Sequence, residues 1–342
     1  MSDAAENAGV ASGGEQHPAA NIDAASNEDG EDADSAYGSP APTSWSLTSS
    51  ILKFREDHGR TYNPWSDYSL PNDEMESDRL DLQHHMFSLT YDGEICLCPA
   101  VRNPENSFSC VLDIGTGTGI WAIDFADMHP ESKVIGIDIS PIQPTLTPPN
   151  LRFYVDDVER PWTFHETFDF IHCRMLTGAI KDWPLLFETC FQNLAPGGWI
   201  ELADYVFPAT SDDDTLLDNS PLAKWCQQGL ECGKIMGSPL DSARLYASQL
   251  RAAGFVNVVE TKFKWPQTSW AEDRKHKELG MYACANFVDG LYGLSVESFT
   301  RYLGWKPPEL QVLLAEVRRD IKNRSVHAYW PVWVVYAQKP GA

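Results

Sequence analysis

From Cys110 onward the apolar positions follow two rhythms in turn. Short apolar runs at Cys110–Ile114, Lys133–Asp138, Leu151–Val155, Phe168–Cys173 and Trp199–Ala203 read as buried strands. Between them, residues 119–128 and 184–194 carry helical spacing, and the Pro196-Gly197-Gly198 turn stops the second of these. Strands that alternate with helices imply a parallel sheet. Helices over 222–236 and 242–253 follow, then an alternating strand at 254–263. Residues 278–323 are helical with breaks at Gly290, Gly293 and Lys306-Pro307-Pro308, and Trp330–Gln338 is a strongly apolar closing strand. The count is seven strands of an α/β fold. Ahead of it, Leu47–His58 predicts a helix ended by Gly59, and Tyr62, Trp65 and Tyr68 an aromatic loop. A second helix begins at Glu74 after an Asn72 or Asp73 cap, with Leu80, His84, Phe87 and Leu89 approximating its apolar face and Met75 upstream.

Candidate chemistry sits where the first strand ends. Asp113-Ile-Gly-Thr-Gly-Thr-Gly119 joins that strand to its helix, and the second strand delivers Asp138 nineteen residues past Gly119. This is a nucleotide-binding strand–turn–helix with an acid placed for a ribose. A dinucleotide site spaces its glycines Gly-x-Gly-x-x-Gly so that amides approach a pyrophosphate. The spacing here is Gly-x-Gly-x-Gly, and an acid beside the loop repels phosphate. It suits a ligand that presents an ammonium group, and S-adenosylmethionine has one. The Asp-x-Gly-x-Gly-x-Gly pattern resembles motif I of class I methyltransferases.

Composition narrows the setting. The chain has 342 residues and a formal net charge of -23. Residues 1–50 hold nine Asp and Glu and no Lys or Arg, leaving -14 for the rest. That segment is poor in aliphatic residues, and disorder is expected over 1–44. It lacks the features of a signal or transit peptide, and no apolar run is long enough to span a bilayer. A cytoplasmic or nuclear, non-secreted protein with no membrane contact is expected. The acidity argues against nucleic-acid capture. Arg318, Arg319, Lys322 and Arg324 form a local basic cluster that reads as a solvated helix face. The eight cysteines are scattered, with Cys96 and Cys98 the one close pair, and no metal site is expected.

Further phrases carry a closer resemblance. Leu70-Pro-Asn-Asp-Glu, Asp78-Arg-Leu-Asp-Leu-Gln-His-His85, Ile139-Ser-Pro-Ile-Gln-Pro144, Phe170-Ile-His-Cys-Arg174, Ile180-Lys-Asp-Trp183 and His327-Ala-Tyr-Trp-Pro331 are similar to the fungal LaeA-like (TAM-domain, UMTA-type) methyltransferases. The likeness runs from about residue 45 to the end of the chain. It implies a class I methyltransferase (Rossmann-like) seven-stranded sheet with an antiparallel last strand, an N-terminal helical lid over 45–105 and a core over 106–264. A helical substrate cap over 265–328 and a closing strand over 329–340 complete the arrangement. It also implies a role in fungal secondary metabolism, and for some members nuclear work with velvet-domain partners.

Ligands of open α/β sheets lie outside the carboxyl ends of the strands. Asp113, Gly115, Thr116, Gly117 and Gly119 are therefore expected around the amino-acid part of the cofactor. Asp138, with Ile139 after it, is placed for the ribose hydroxyls. Of Asp156 and Asp157, one is expected at the adenine amino group, with Asp157 favoured and Val158 offering its amide. His172, Cys173 and Arg174 end the fourth strand beside the transferable methyl. Arg174 is the better anion partner, and His172 reads equally as a satisfied core residue. His84 and His85 lie on the lid helix and read as substrate contacts or as surface residues. Tyr62, Trp65 and Tyr68 read as aromatic faces for substrate or sulfonium, or as packing. His172, Arg174 and His85 are the catalytic candidates.

Methyl transfer is an in-line displacement at an activated carbon, and alignment is its main requirement. A general base is needed only for a protonated acceptor. No Asn/Asp-Pro-Pro-Tyr/Phe signature follows the fourth strand, which disfavours amide or base N-methylation. Three functions remain open: methylation of a small molecule, a cofactor-binding regulatory subunit, and a repurposed fold with other chemistry.

Overall fold

The computed structural model describes residues 53–341, together with the backbone of Ala20–Ile22. The core strands are β1 (Cys110–Ile114), β2 (Lys133–Asp138), β3 (Leu151–Val155), β4 (Phe168–Arg174), β5 (Leu194–Tyr205), β6 (Val256–Pro266) and β7 (Tyr329–Gln338). They lie in the order β3-β2-β1-β4-β5-β7-β6. The first five are mutually parallel, and β7 runs antiparallel between β5 and β6. Strand order therefore reverses beside β1, the switch point at which open sheets bind ligands. Ala20–Ile22 pairs antiparallel with β3. The rest of the expected disordered 1–44 tail lies outside the described residues.

Five strands fall where the apolar runs place them because a strand buried on both faces needs uninterrupted apolar sequence. All five residues of β1 are buried. β5 differs: it starts at Leu194 and carries Pro196-Gly197-Gly198 inside it, absorbed by a register shift against β4. Gly197 takes φ 83°, so the turn chemistry appears as an irregularity within the strand.

In front of the sheet the expected Leu47–His58 helix is corrected. Arg55–Asp57 and Arg60–Tyr62 form an antiparallel hairpin, turned by His58 at φ 52° and Gly59 at φ 73°. Two consecutive left-handed residues match the twist of paired strands, which is why His-Gly ends no helix here. Residues 47–52 lie outside the described residues.

The helices longer than one turn are α1 (Glu74–Thr90), α2 (Ile120–Met128), α3 (Trp183–Asn193), α4 (Pro221–Met236), α5 (Tyr246–Ala252), α6 (Arg274–Gly290), α7 (Val296–Leu303) and α8 (Pro307–Ile321). Asp73 caps α1 by accepting from the Glu76 amide and is held by a bidentate contact with Arg60. The face that α1 buries is not the expected apolar one. Glu76, Arg79, Gln83, Met86, Phe87 and Thr90 are buried, whereas Met75 is 62 % exposed. A polar face is buried because α6 brings partners for it: Arg79 grips Glu76 and donates to Asn286 at 3.1 Å. The insertion helices, α1 and α4 share one apolar core with β5–β7, centred on Trp225, Trp265, Phe287 and Trp330. A second core packs α3 and α5 on one face of the sheet, and a third packs α2 on the other. Among the described residues no helix is long and apolar enough to cross a membrane.

Candidate functional site

At the carboxyl ends of β1–β4 the chain leaves an open cleft. Three glycines let the β1–α2 turn enter it, at φ 65°, 58° and 81° for Gly115, Gly117 and Gly119. All three values are left-handed, which side chains resist. Their further roles differ. A Cβ on Gly115 would lie 2.3 Å from Leu176, on the cleft wall. One on Gly119 would strike the Phe153 ring at 2.4 Å, so this glycine serves the packing of α2 on β3.

Asp138 closes the turn onto β2. Its Oδ2 accepts the Gly117 amide at 2.9 Å, and its Oδ1 accepts the Ser140 amide at 2.9 Å. Burial pushes its pKa up to about 6 against those bonds. The carboxylate lines the cleft with Ile139, Asp156, Asp157 and Val158. Asp156 and Asp157 each accept a local backbone amide, from Asp157 and Glu159 respectively. Burial also raises the Asp156 pKa. An outer brace was not legible in the motif. Gln143 donates to the Gly117 carbonyl at 2.7 Å and to the Ser140 carbonyl at 3.0 Å. Asn63 donates to the Ile139 carbonyl and Asn72 to the Ser140 hydroxyl. The Ile139-Ser-Pro-Ile-Gln phrase thus ties the glycine turn to the N-terminal segment.

Asp113 sits beneath the turn rather than in the cleft. It is 3 % exposed; Thr116 donates to its Oδ2 at 2.6 Å, and the His172 ring nitrogen Nδ1 meets Oδ1 at 2.7 Å. The parallel register of β1 and β4 sets this pair side by side. His172 also stacks on Trp121, ring centroids 3.7 Å apart, and burial lowers its pKa despite Asp113. A neutral imidazole donating to a carboxylate braces the turn from below. Cys173 is fully buried and likewise outside the cleft lining.

Arg174 does line the cleft. Its guanidinium lies over the Phe87 ring and meets His84 Nδ1 at 3.1 Å. His84 in turn reaches Asp124 at 2.9 Å. Burial lowers the Arg174 pKa against the pull of Asp113, Asp124 and Glu201. This is a cation ready for an anion. His85 is corrected as a catalytic candidate: it is exposed, edge-on to Tyr282 and outside the cleft lining. His84 serves Arg174 and is outside the same lining. Tyr62 is fully buried beneath Arg55, so its ring is packing, also a correction. Tyr68 lines the cleft.

Behind the cleft lies a mostly apolar chamber, which the sequence did not disclose. Tyr68, Leu70, Leu80, Met175, Gly178 and Met236 line both spaces. Deeper walls come from Phe207, Trp225, Phe287 and Phe299, and the polar residues Arg79, Gln83 and Tyr205 form its floor. These side chains come from β5 and the segment after it, and from α1, α4, α6 and α7, so no local motif records the cavity.

The cleft residues fit S-adenosylmethionine by their chemistry. Asp138 would offer a carboxylate to a ribose diol, Asp156–Val158 an edge to adenine, and Arg174 a cation to the methionine carboxylate. Bound there, the cofactor supplies an electrophilic methyl on a positive sulfur. The apolar chamber next to it can exclude water and align a nucleophile.

Comparison with known proteins bears on this geometry. A family model described as "Methyltransferase domain" matches residues 83–260. The "Methyltransferase pytC" of Aspergillus terreus is 40% identical over 298 residues, 86% of this chain and 91% of that protein. The "Probable methyltransferase tdiE" of Emericella nidulans is 36% identical over 86% of this chain and 92% of its own length. The "Secondary metabolism regulator laeA" of Aspergillus niger is 33% identical over 92% and 84%. A methyltransferase model over more than half of the chain and named relatives along most of its length place this protein in the S-adenosylmethionine-dependent methyltransferase family.

Proposed function

We propose that the protein transfers a methyl group from S-adenosylmethionine to a small, largely apolar molecule of fungal secondary metabolism, in the cytoplasm or nucleus. One observation carries this reading: the wall shared by the cleft and the apolar chamber at Tyr68, Leu80 and Met175. A methyl donor in the first space faces an acceptor in the second, as in-line transfer requires. In this reading Asp138 holds the ribose, Asp157 and Val158 the adenine, and Arg174 the methionine carboxylate. Asp113, Thr116, Gly119 and His172 are positioning residues beneath the turn. Among the described residues the chamber lining holds no histidine and no carboxylate, which favours an acceptor that needs no strong base.

The likeness to a relative named as a secondary metabolism regulator supports a second reading. In that reading the protein binds the cofactor and works through protein partners, velvet-domain proteins among them. One experiment separates the two. The protein is incubated with methyl-labelled cofactor and an extract of fungal metabolites, and label is counted in solvent-soluble and polypeptide fractions. Label in a small product supports the first reading. Label confined to polypeptide, or no transfer while cofactor binds, overturns it.

A further inference from the structure

The floor of the chamber carries more polarity than its walls explain. Arg79 commits three of its five N–H groups: Nε and Nη2 grip the two Glu76 oxygens at 2.8 and 2.5 Å, and Nη1 donates to Asn286 Oδ1 at 3.1 Å. Because arginine only donates, this contact orients the Asn286 amide, and its Nδ2 is left to face Tyr205 Oη at 3.4 Å. Gln83 Nε2 lies 3.4 Å from the same oxygen. Tyr205 is 7 % exposed and Gln83 3 %, yet both line the chamber.

The hydrogen count does not close. As placed, Tyr205 accepts from both amides and its own hydroxyl hydrogen has no taker. With the Gln83 amide turned over, Tyr205 donates to Gln83 Oε1, and then the Gln83 N–H groups have none. In either arrangement at least one donor hydrogen is left for the chamber. A buried donor without a partner is costly, and a ligand oxygen would recover that cost. Since Glu76 already neutralises Arg79, an uncharged acceptor group suits this floor better than an anion.

We propose that Gln83 and Tyr205 form a recognition subsite for a neutral carbonyl-class oxygen on the far side of an otherwise apolar acceptor molecule. The inference rests on the chamber being the acceptor site. It names the substrate class as compact, apolar and carbonyl-bearing, with the oxygen held at the floor and the methylated atom at the wall shared with the cleft.

The test uses two probes of similar shape, 1-indanone and indane, titrated calorimetrically into the full-length protein. The Gln83→Leu/Tyr205→Phe double variant removes both donors. It should weaken 1-indanone roughly three- to tenfold and leave indane within about twofold. Equal shifts for both probes, no shift for either, or no binding of 1-indanone to the wild type would overturn the proposal. If the double variant does not fold, Tyr205→Phe and Gln83→Met are titrated singly, and the same selective loss is required of at least one. S-adenosylhomocysteine is titrated separately, so a failure of the cleft assignment shows there and not in the probe ratio.

Discussion

Replacing Asp138 with Asn tests the cleft at the residue where geometry and charge meet. The two carboxylate oxygens accept amides from Gly117 and Ser140, each at 2.9 Å, and burial lifts the pKa to about 6. On the proposed assignment a bound ribose would add two hydroxyl donors to the same carboxylate. Hydrogen bonds to a charged group contribute about 1.5–3 kcal/mol each. An Asn retains one acceptor oxygen and turns an NH₂ toward a second donor. Asp138→Asn should therefore cost about 3–4 kcal/mol of cofactor binding, on the order of a hundredfold or more in Kd. The pH dependence follows by linkage. The ligand hydroxyls favour the ionised form, so binding lowers the pKa and releases protons near pH 6. Affinity should be flat above about pH 7 and fall up to tenfold per pH unit below 6, while the Asn variant stays flat. Calorimetric titration of S-adenosylhomocysteine at pH 5, 6 and 8, in two buffers of different ionisation enthalpy, reads both effects. Equal affinities for the folded variant and the wild type, or a wild-type affinity independent of pH, would refute the assignment of the ribose acid.

Three further outcomes follow from the same physics. Arg174→Met should weaken S-adenosylhomocysteine at least tenfold, by loss of a charge-assisted contact, and leave 5′-methylthioadenosine, which lacks the amino-acid carboxylate, within twofold; isothermal titration separates the ligands. Glu201 is fully buried, accepts the Leu97 amide at 2.8 and 3.1 Å, and burial pushes its pKa up to about 8. A carboxyl with a raised folded pKa stabilises the fold at low pH and loses that contribution as pH rises from about 4.5 to about 8, so Glu201→Gln should raise the urea midpoint at pH 8.5 and change it little at pH 4.5. Gly119→Ala forces a side chain into a φ of 81° and against Phe153, and should cost at least 2 kcal/mol in urea denaturation at pH 7.

Short-range order was legible along the chain. Strands β1 to β4 and β7 announce themselves as apolar runs because a strand buried on both faces has no polar position to spend. The glycine turn and Asp138 announce themselves because left-handed backbone and a strand-end acid are local requirements. What the chain alone did not decide is which polar residues are buried, because that depends on partners far away in sequence. Glu76, Arg79 and Gln83 occupy the inner face of α1 only because Asn286 and Tyr205 arrive from α6 and β5. Asp113 faces His172 rather than the cleft because β1 and β4 are in parallel register. His85 turns outward because α1 presents its 76–79–83 face inward. The chamber is a tertiary product in the same sense: five elements enclose it, and its chemistry exists only once they have packed. Local backbone demands thus wrote the methyl donor into the sequence, whereas the chamber proposed for the acceptor is set by the packing of α1, α4, α6 and α7 against β5.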